Sequence, residues 1–195
     1  MGRNIMASTA GKNILRLIFL LVVLVLLVHI GLQSPFFKRR IYPLKYEESI
    51  IKYSFQYNLD PHLVMAVIWV ESKYEPKATS RKDARGLMQI IPPTGRWIAK
   101  EIKMETYSDD LLYDPDTNIR MGCWYLSYLL EVFDGDVELA LAAYNGGMGN
   151  VRKWLKDTRY SKDGTKLDFI PFKETSQYID RVAKAYEQYK KLYKI

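Results

Sequence analysis

Glu71 closes an apolar run. From Leu63 to Val70 the chain reads LVMAVIWV, and a glutamate and a serine follow. A helix through that run is apolar on every side, so it is read as buried and not merely amphipathic. A carboxyl group at its end is partly desolvated and sits near the negative end of the helix dipole. Both effects penalise the ionised form and raise the pKa. A carboxylic acid that stays protonated near neutral pH is what general-acid cleavage of a glycosidic bond requires. The plain structural alternative is a solvated glutamate just past the helix end, and the run alone does not decide between the two.

Two further stretches bear on that choice. GLMQ at Gly86–Gln89 sets a flexible backbone position beside an amide that both donates and accepts, a pairing suited to an acetamido or hydroxyl group on a sugar. As ordinary structure it is a buried turn with Leu87 and Met88 in the core. AAYNGG at Ala142–Gly147 offers a phenol and an amide at a helix C-terminus. Asn and Gly are also common helix stop signals, so that stretch carries both readings equally.

The elements that must hold these residues are helical, because nothing after residue 45 alternates convincingly with period two. Glu47–Asn58 reads as an amphipathic first helix. Asp60-Pro61 is an N-cap followed by proline at the first helical position, opening a helix to Ser72. Asp114-Pro115 repeats the device before an apolar-patterned helix through Phe133, and Asp136 caps a helix to Tyr144 that Gly146-Gly147 ends. A final helix from Lys173 to Tyr193 carries the stripe Ile179, Val182, Ala183, Tyr186 and Tyr189. The polar stretch Asp157–Asp168 reads as a surface loop. The expectation is an all-α single domain over residues 46–195.

Charge locates the rest. The formal net charge is +7. Residues 1–45 hold seven basic residues and no acidic one, whereas from Tyr46 onward 22 basic residues balance 22 acidic ones. The folded part is neutral, so no basic face is left for nucleic acid, and the excess flanks one hydrophobic segment. That segment, Leu17 to Leu32, has sixteen residues and no formal charge. At 1.5 Å per residue it covers about 24 Å, slightly short of a hydrocarbon core of about 30 Å. Ile14, Leu15, Phe36 and Phe37 can extend it while Arg16 snorkels. No small-x-small cleavage pattern follows, which favours a retained anchor over a cleaved signal. The expected organisation is a short cytoplasmic N-terminus over 1–16, a transmembrane anchor over 17–32, a juxtamembrane linker over 33–45, and the domain. The flanking charges, three basic residues before the segment and four after it, run against an N-in anchor. Long domains translocate largely regardless of such charges. A lone cysteine, Cys123, excludes an internal disulfide and a lipid anchor near the N-terminus.

Taken together the motifs resemble the catalytic domain of the soluble lytic transglycosylase family, related in fold to goose-type lysozyme. Glu71-Ser72, GLMQIIPPT at Gly86–Thr94, AYNGG at Ala143–Gly147 and ETSQYIDRV at Glu174–Val182 fall in the family's order and approximate spacing. The resemblance covers Tyr46 to Tyr189. It implies a lysozyme-like helical domain with Glu71 as the single catalytic acid/base. Ser80 is implied to hydrogen-bond the acid and the substrate region, Gln89 to line the cleft, Tyr144 and Asn145 to lie near the scissile bond, and Tyr178 to lie beside the acid. Glu174 is implied to be structural or substrate-contacting. Two positions depart from the family pattern: Ile91 stands where methionine is frequent, and Asp83 where glycine is usual.

The chemistry that the resemblance implies is cleavage of the bond between N-acetylmuramic acid and N-acetylglucosamine in peptidoglycan, with closure of a 1,6-anhydro ring and no metal or cofactor. The implied partners are glycan strands and, through residues 17–32, the cytoplasmic membrane, with the domain on its outer side; no protein partner is implied. A hydrolytic muramidase on the same fold is the alternative, with Asp83 positioning a water. A non-catalytic glycan-binding scaffold comes third, disfavoured because Glu71 and its polar companions are all in place.

Overall fold

A computed structural model describes residues 3–195, with side chains from Lys12 on except those of residues 32 and 33. The first two residues of the expected N-terminal segment 1–16 lie outside the described residues. The chain divides into two compact units, Met1–Pro43 and Leu44–Ile195. In the first, helix α1 runs Arg3–Gln33, well beyond the apolar segment read from the sequence. Residues 3–16 contain no proline to stop a helix, so it runs on through Lys12 and Arg16. A 20-residue window of α1, Lys12–Gly31, has a mean hydropathy of 2.9 and is long and apolar enough to cross a membrane. Its leucines, isoleucines and valines are almost all exposed. The stretch read as a linker contains a short helix, α2, Pro35–Ile41. Ser34 caps it by accepting the Phe37 N–H, and Pro35 takes the first turn, where its missing N–H costs nothing.

The second unit is all-helical, with no strand among the described residues. Helices α3 (Glu47–Gln56) and α4 (Pro61–Ser72) come first. After them come α5 (Pro92–Glu101), a 3₁₀ turn (Asp109–Tyr113) and α6 (Pro115–Val132). Helices α7 (Val137–Gly146), α8 (Met148–Leu155) and α9 (Lys173–Leu192) complete the unit. The three aspartate caps act as the sequence implies. Asp60 accepts the His62 N–H, Asp114 that of Thr117 and Asp136 that of Leu139. Helix α4 forms the centre: Val64, Met65, Ala66, Val67 and Ile68 have no exposed surface. It packs chiefly against α9, through Tyr178, Val182, Ala185 and Tyr189, and against α3. One side cluster joins Leu129, Phe133, Leu139, Ala143, Val151 and Trp154; another joins Ile90, Ile98, Leu112 and Met121.

Helices α5 and α8 and the 3₁₀ turn were not legible in the sequence. Helix α5 opens on Pro92-Pro93 with no side-chain cap, and α8 starts at once after Gly147, a residue at φ 89° that ends α7. Short helices that lack a polar cap carry little local signal.

Candidate active site

Glu71 lies in the last turn of α4, where the chain leaves the helix through two consecutive left-handed residues, Lys73 at φ 54° and Tyr74 at φ 64°. Such conformations are uncommon without glycine and hold only when the surroundings fix them. The buried Ser72 hydroxyl bridges the helix end to the next loop, 3.1 Å from the Ile68 carbonyl oxygen and 2.8 Å from that of Leu87. Glu71 is half-buried and lines an open cleft of about 740 Å³, within the usual range for ligand sites. Burial is the largest influence on its carboxyl group and pushes the pKa up to about 7. Tyr178 and the Arg181 charge act the other way, and the Glu174 charge adds to the rise. Tyr178, from α9, is buried with its hydroxyl lacking a partner of regular hydrogen-bond geometry. Its interaction with Glu71 thus falls short of a well-formed hydrogen bond, although it favours the ionised carboxylate.

The segment between α4 and α5 is folded tightly. Isolated antiparallel bridges join Thr79 to Arg85 and Arg85 to Ile90. The turn at its tip closes through Ser80: the backbone N–H donates to the Ala84 carbonyl at 2.9 Å, and the hydroxyl oxygen accepts the N–H groups of Lys82 and Ala84. The Ser80 hydroxyl therefore serves its own turn as acceptor and keeps its proton to donate into the cleft. Gln89 is in the left-handed region at φ 49°, and its amide nitrogen donates to the carbonyls of Ala78 (3.2 Å) and Gly86 (2.9 Å). Both amide protons are thereby engaged, which leaves the acceptor end of Gln89 for a ligand. The amide read from the sequence as donor and acceptor together is an acceptor in this setting.

Asn118 of α6, a fully buried residue outside every sequence motif, clamps this loop. Its oxygen accepts the Met88 N–H at 2.7 Å, and its nitrogen donates to the carbonyls of Leu112 (2.7 Å) and Arg85 (3.0 Å). Gly86 packs so close to Asn118 and the Leu112 carbonyl, at φ 75°, that any Cβ there would collide. An asparagine inside a helix is disfavoured unless its side chain has partners elsewhere, and that was the available signal.

The end of α7 and the start of α9 supply other lining residues. Tyr144 donates its hydroxyl to the Met88 carbonyl at 2.8 Å, and burial raises its pKa well above the usual phenol value. Thr175 donates to the Asn145 oxygen at 2.8 Å, which orients that side chain and turns its NH₂ toward other partners. Glu71, Ser80, Gln89, Tyr144, Asn145 and Glu174 all line the one cleft, and Tyr178 lies behind Glu71. Ile91 lines it as well, together with Tyr125, which packs on Tyr144 with ring centroids 5.3 Å apart. Asp83 does not line it. It is exposed and held by Arg85, with Nε to Oδ1 at 2.8 Å and Nη2 to Oδ2 at 3.1 Å. Among the described residues no group of three or more His, Cys, Asp or Glu could hold a metal ion.

A family model for the transglycosylase SLT domain matches residues 48–167, a range that stops short of α9. The soluble lytic murein transglycosylase of Escherichia coli (strain K12) is 36% identical over 150 residues, covering 76% of this chain and 23% of that protein. Membrane-bound lytic murein transglycosylase C of Photorhabdus laumondii is 39% identical over 116 residues, covering 55% of this chain and 32% of that protein. The crystal structure of the 70-kDa soluble lytic transglycosylase of Escherichia coli is similar with a TM-score of 0.71 at 31% identity, over 80% of this chain and 25% of that one. The chain thus spans 23% to 32% of the length of these relatives, and the shared part is the helical unit that carries the cleft. By the extent of that match, in sequence and in fold, this chain belongs to the transglycosylase SLT domain family.

Proposed function

We propose that the helical unit is a peptidoglycan lytic transglycosylase, cutting the β-1,4 bond from N-acetylmuramic acid to N-acetylglucosamine and leaving 1,6-anhydro ends. The observation that carries this reading is Glu71, a lone desolvated carboxyl on the cleft with a pKa of about 7. At neutral pH a large share of it is protonated, the state a general acid needs. Glu71 gives its proton to the glycosidic oxygen as the bond to the anomeric carbon breaks. The muramic 6-hydroxyl oxygen bonds to that carbon, and its proton returns to Glu71. The enzyme ends as it began, and no water enters the product. A hydroxyl on the same sugar gains from proximity what a free water lacks. In this reading Tyr144 and Asn145 hold the sugars around the scissile bond, Ser80 donates to them and Gln89 accepts from them. Exposed Glu174, at the rim, favours the protonated form of Glu71 through its charge.

Hydrolysis would call for a second carboxylate to activate a water. Asp83 is bound up with Arg85 outside the cleft lining, so it offers no such group; the second carboxylate that does line the cleft is the exposed Glu174. The deciding experiment is digestion of purified peptidoglycan by the full chain in detergent, followed by borohydride reduction and mass spectrometry. Anhydro ends resist reduction and are the expected product; reducible ends alone would make the reaction hydrolytic. The window Lys12–Gly31, together with the membrane-bound relative, supports an anchored form with residues 46–195 on the outer side of the cytoplasmic membrane, where the substrate lies.

A further inference from the structure

The charged groups lining the cleft are Glu71, Glu174, Arg81 and Lys82. With Glu71 protonated, the two cations outnumber the one remaining carboxylate. Arg81 and Lys82 are the central residues of the Ser80–Ala84 turn, whose backbone and Ser80 hydroxyl bonds fix its shape. Their side chains are exposed, and neither makes an ion pair among the described residues. Arg85, one turn further on, contrasts with them: Asp83 holds it at 2.8 Å and Asp110 lies 3.7 Å away. Asp83, the acidic residue between them and Arg85, is thus committed to Arg85, and the two cations on the cleft have no ion-pair partner among the described residues.

Resting on the transglycosylase reading, we propose that Arg81 and Lys82 form an anion-binding rim that takes free carboxylates on the peptide stems of the substrate strand. The N-acetylglucosamine units are neutral, and the muramic lactyl carboxyl is tied up as the amide that carries the stem, so the sugars of a stem-bearing strand give a cationic pair no anion to bind. The stems hung on the muramic lactyl groups carry free carboxylates close to the scissile bond. A phosphate on the muramic 6-hydroxyl is another anion a strand can carry, but it would block the ring closure itself. The rim therefore selects strands by stem chemistry: free stem carboxylates bind, and amidated stems bind less well.

The test measures binding, so that it stands apart from the reaction. Full-length chain carrying Glu71→Gln, in detergent micelles, is titrated by fluorescence anisotropy against labelled glycan strands. The strands come in two forms: free stem carboxylates and amidated stems. Two exposed ion pairs support a preference of about five- to tenfold for the free carboxylates at low salt. That preference should fall toward one at about 0.5 M salt, where charges are screened within a few ångströms. Arg81→Gln with Lys82→Gln should abolish the preference, and Arg81→Lys with Lys82→Arg should keep it. Equal binding of the two strands by the parent protein would overturn the proposal, as would a preference that survives the double glutamine change. Failure of the active chain to cut any strand would instead overturn the transglycosylase reading and leave the binding result standing.

Discussion

Glu71 carries a conflict between stability and reactivity that can be measured. An unfolded chain ionises this carboxyl above about 4.5, the folded protein only above about 7. Between those values the folded state binds the extra proton, so stability falls as pH rises through the window and levels off above it. The full effect is about 3 kcal/mol, since a tenfold change in proton affinity corresponds to about 1.4 kcal/mol. Glu71→Gln keeps the shape and removes the charge. It should melt at a higher temperature than the parent chain at pH 7.5, with the difference shrinking toward pH 4; a pH-independent difference would remove burial as the cause of the raised pKa. Cleavage should move oppositely. The variant loses roughly 10²–10⁴-fold or more, because an amide delivers no proton. In the parent chain kcat/KM should decline above about pH 7 as the acid form disappears. Asp83 is the contrasting residue. Its exposed pairing with Arg85 makes Asp83→Asn a mild change, with activity within a few-fold and anhydro products retained. A severe loss there, with reducible ends, would give Asp83 the water-positioning role.

At the scale of elements, the catalytic arrangement depends on tying the loop before α5 to three helices. Ser72 holds it to α4, Asn118 to α6 and Tyr144 to α7. Asn118→Ala removes three hydrogen bonds and strands the buried Met88 N–H, at a cost of about 3 kcal/mol or more. Chemical denaturation should read that loss, and substrate affinity should fall with it because Gln89 sits in the same loop. Gly86→Ala meets both a forbidden backbone conformation and a collision with Asn118, so it should be at least as damaging. Helix α9 lies beyond the span of the family match, yet it brings Tyr178 behind the acid, Glu174 to the rim and Thr175 to Asn145.

For the whole molecule, the apolar window in α1 and the nearly neutral second unit predict an enzyme whose chemistry is separable from the apolar helix. Residues 44–195, expressed alone, should fold as a helical unit, because they form a compact body with their own core. They should also cleave isolated peptidoglycan. Aggregation or loss of the helical signal would show that the first unit is needed for folding. In cells stripped of their wall, protease added outside should degrade the helical unit of the full chain. Protection would place the unit on the wrong side of the membrane for the proposed substrate.

Local signals were sufficient for much of this protein. The apolar run Leu63–Val70 had to be buried whatever its partners, and so a carboxyl at its end had to be desolvated. The Asp-Pro pairs fixed where α4 and α6 begin, since a cap and its helix lie within a few residues of each other. The segregation of charge separated the apolar segment from a neutral domain. The ordered motifs then led to the family and to the candidate residues. What the sequence could not decide were contacts between segments far apart along the chain. It left Gln89 with a complete amide, although the fold uses both its protons. It left Asp83 open to position a water, although Arg85 chelates it outside the cleft lining. It held no sign that Arg81 and Lys82 face the cleft, nor that Asn118 holds the loop. Capping and periodicity act within a few residues and can be read in a short window. Which side chain commits its hydrogen bonds to which distant carbonyl is set by packing, and only the tertiary structure decided that.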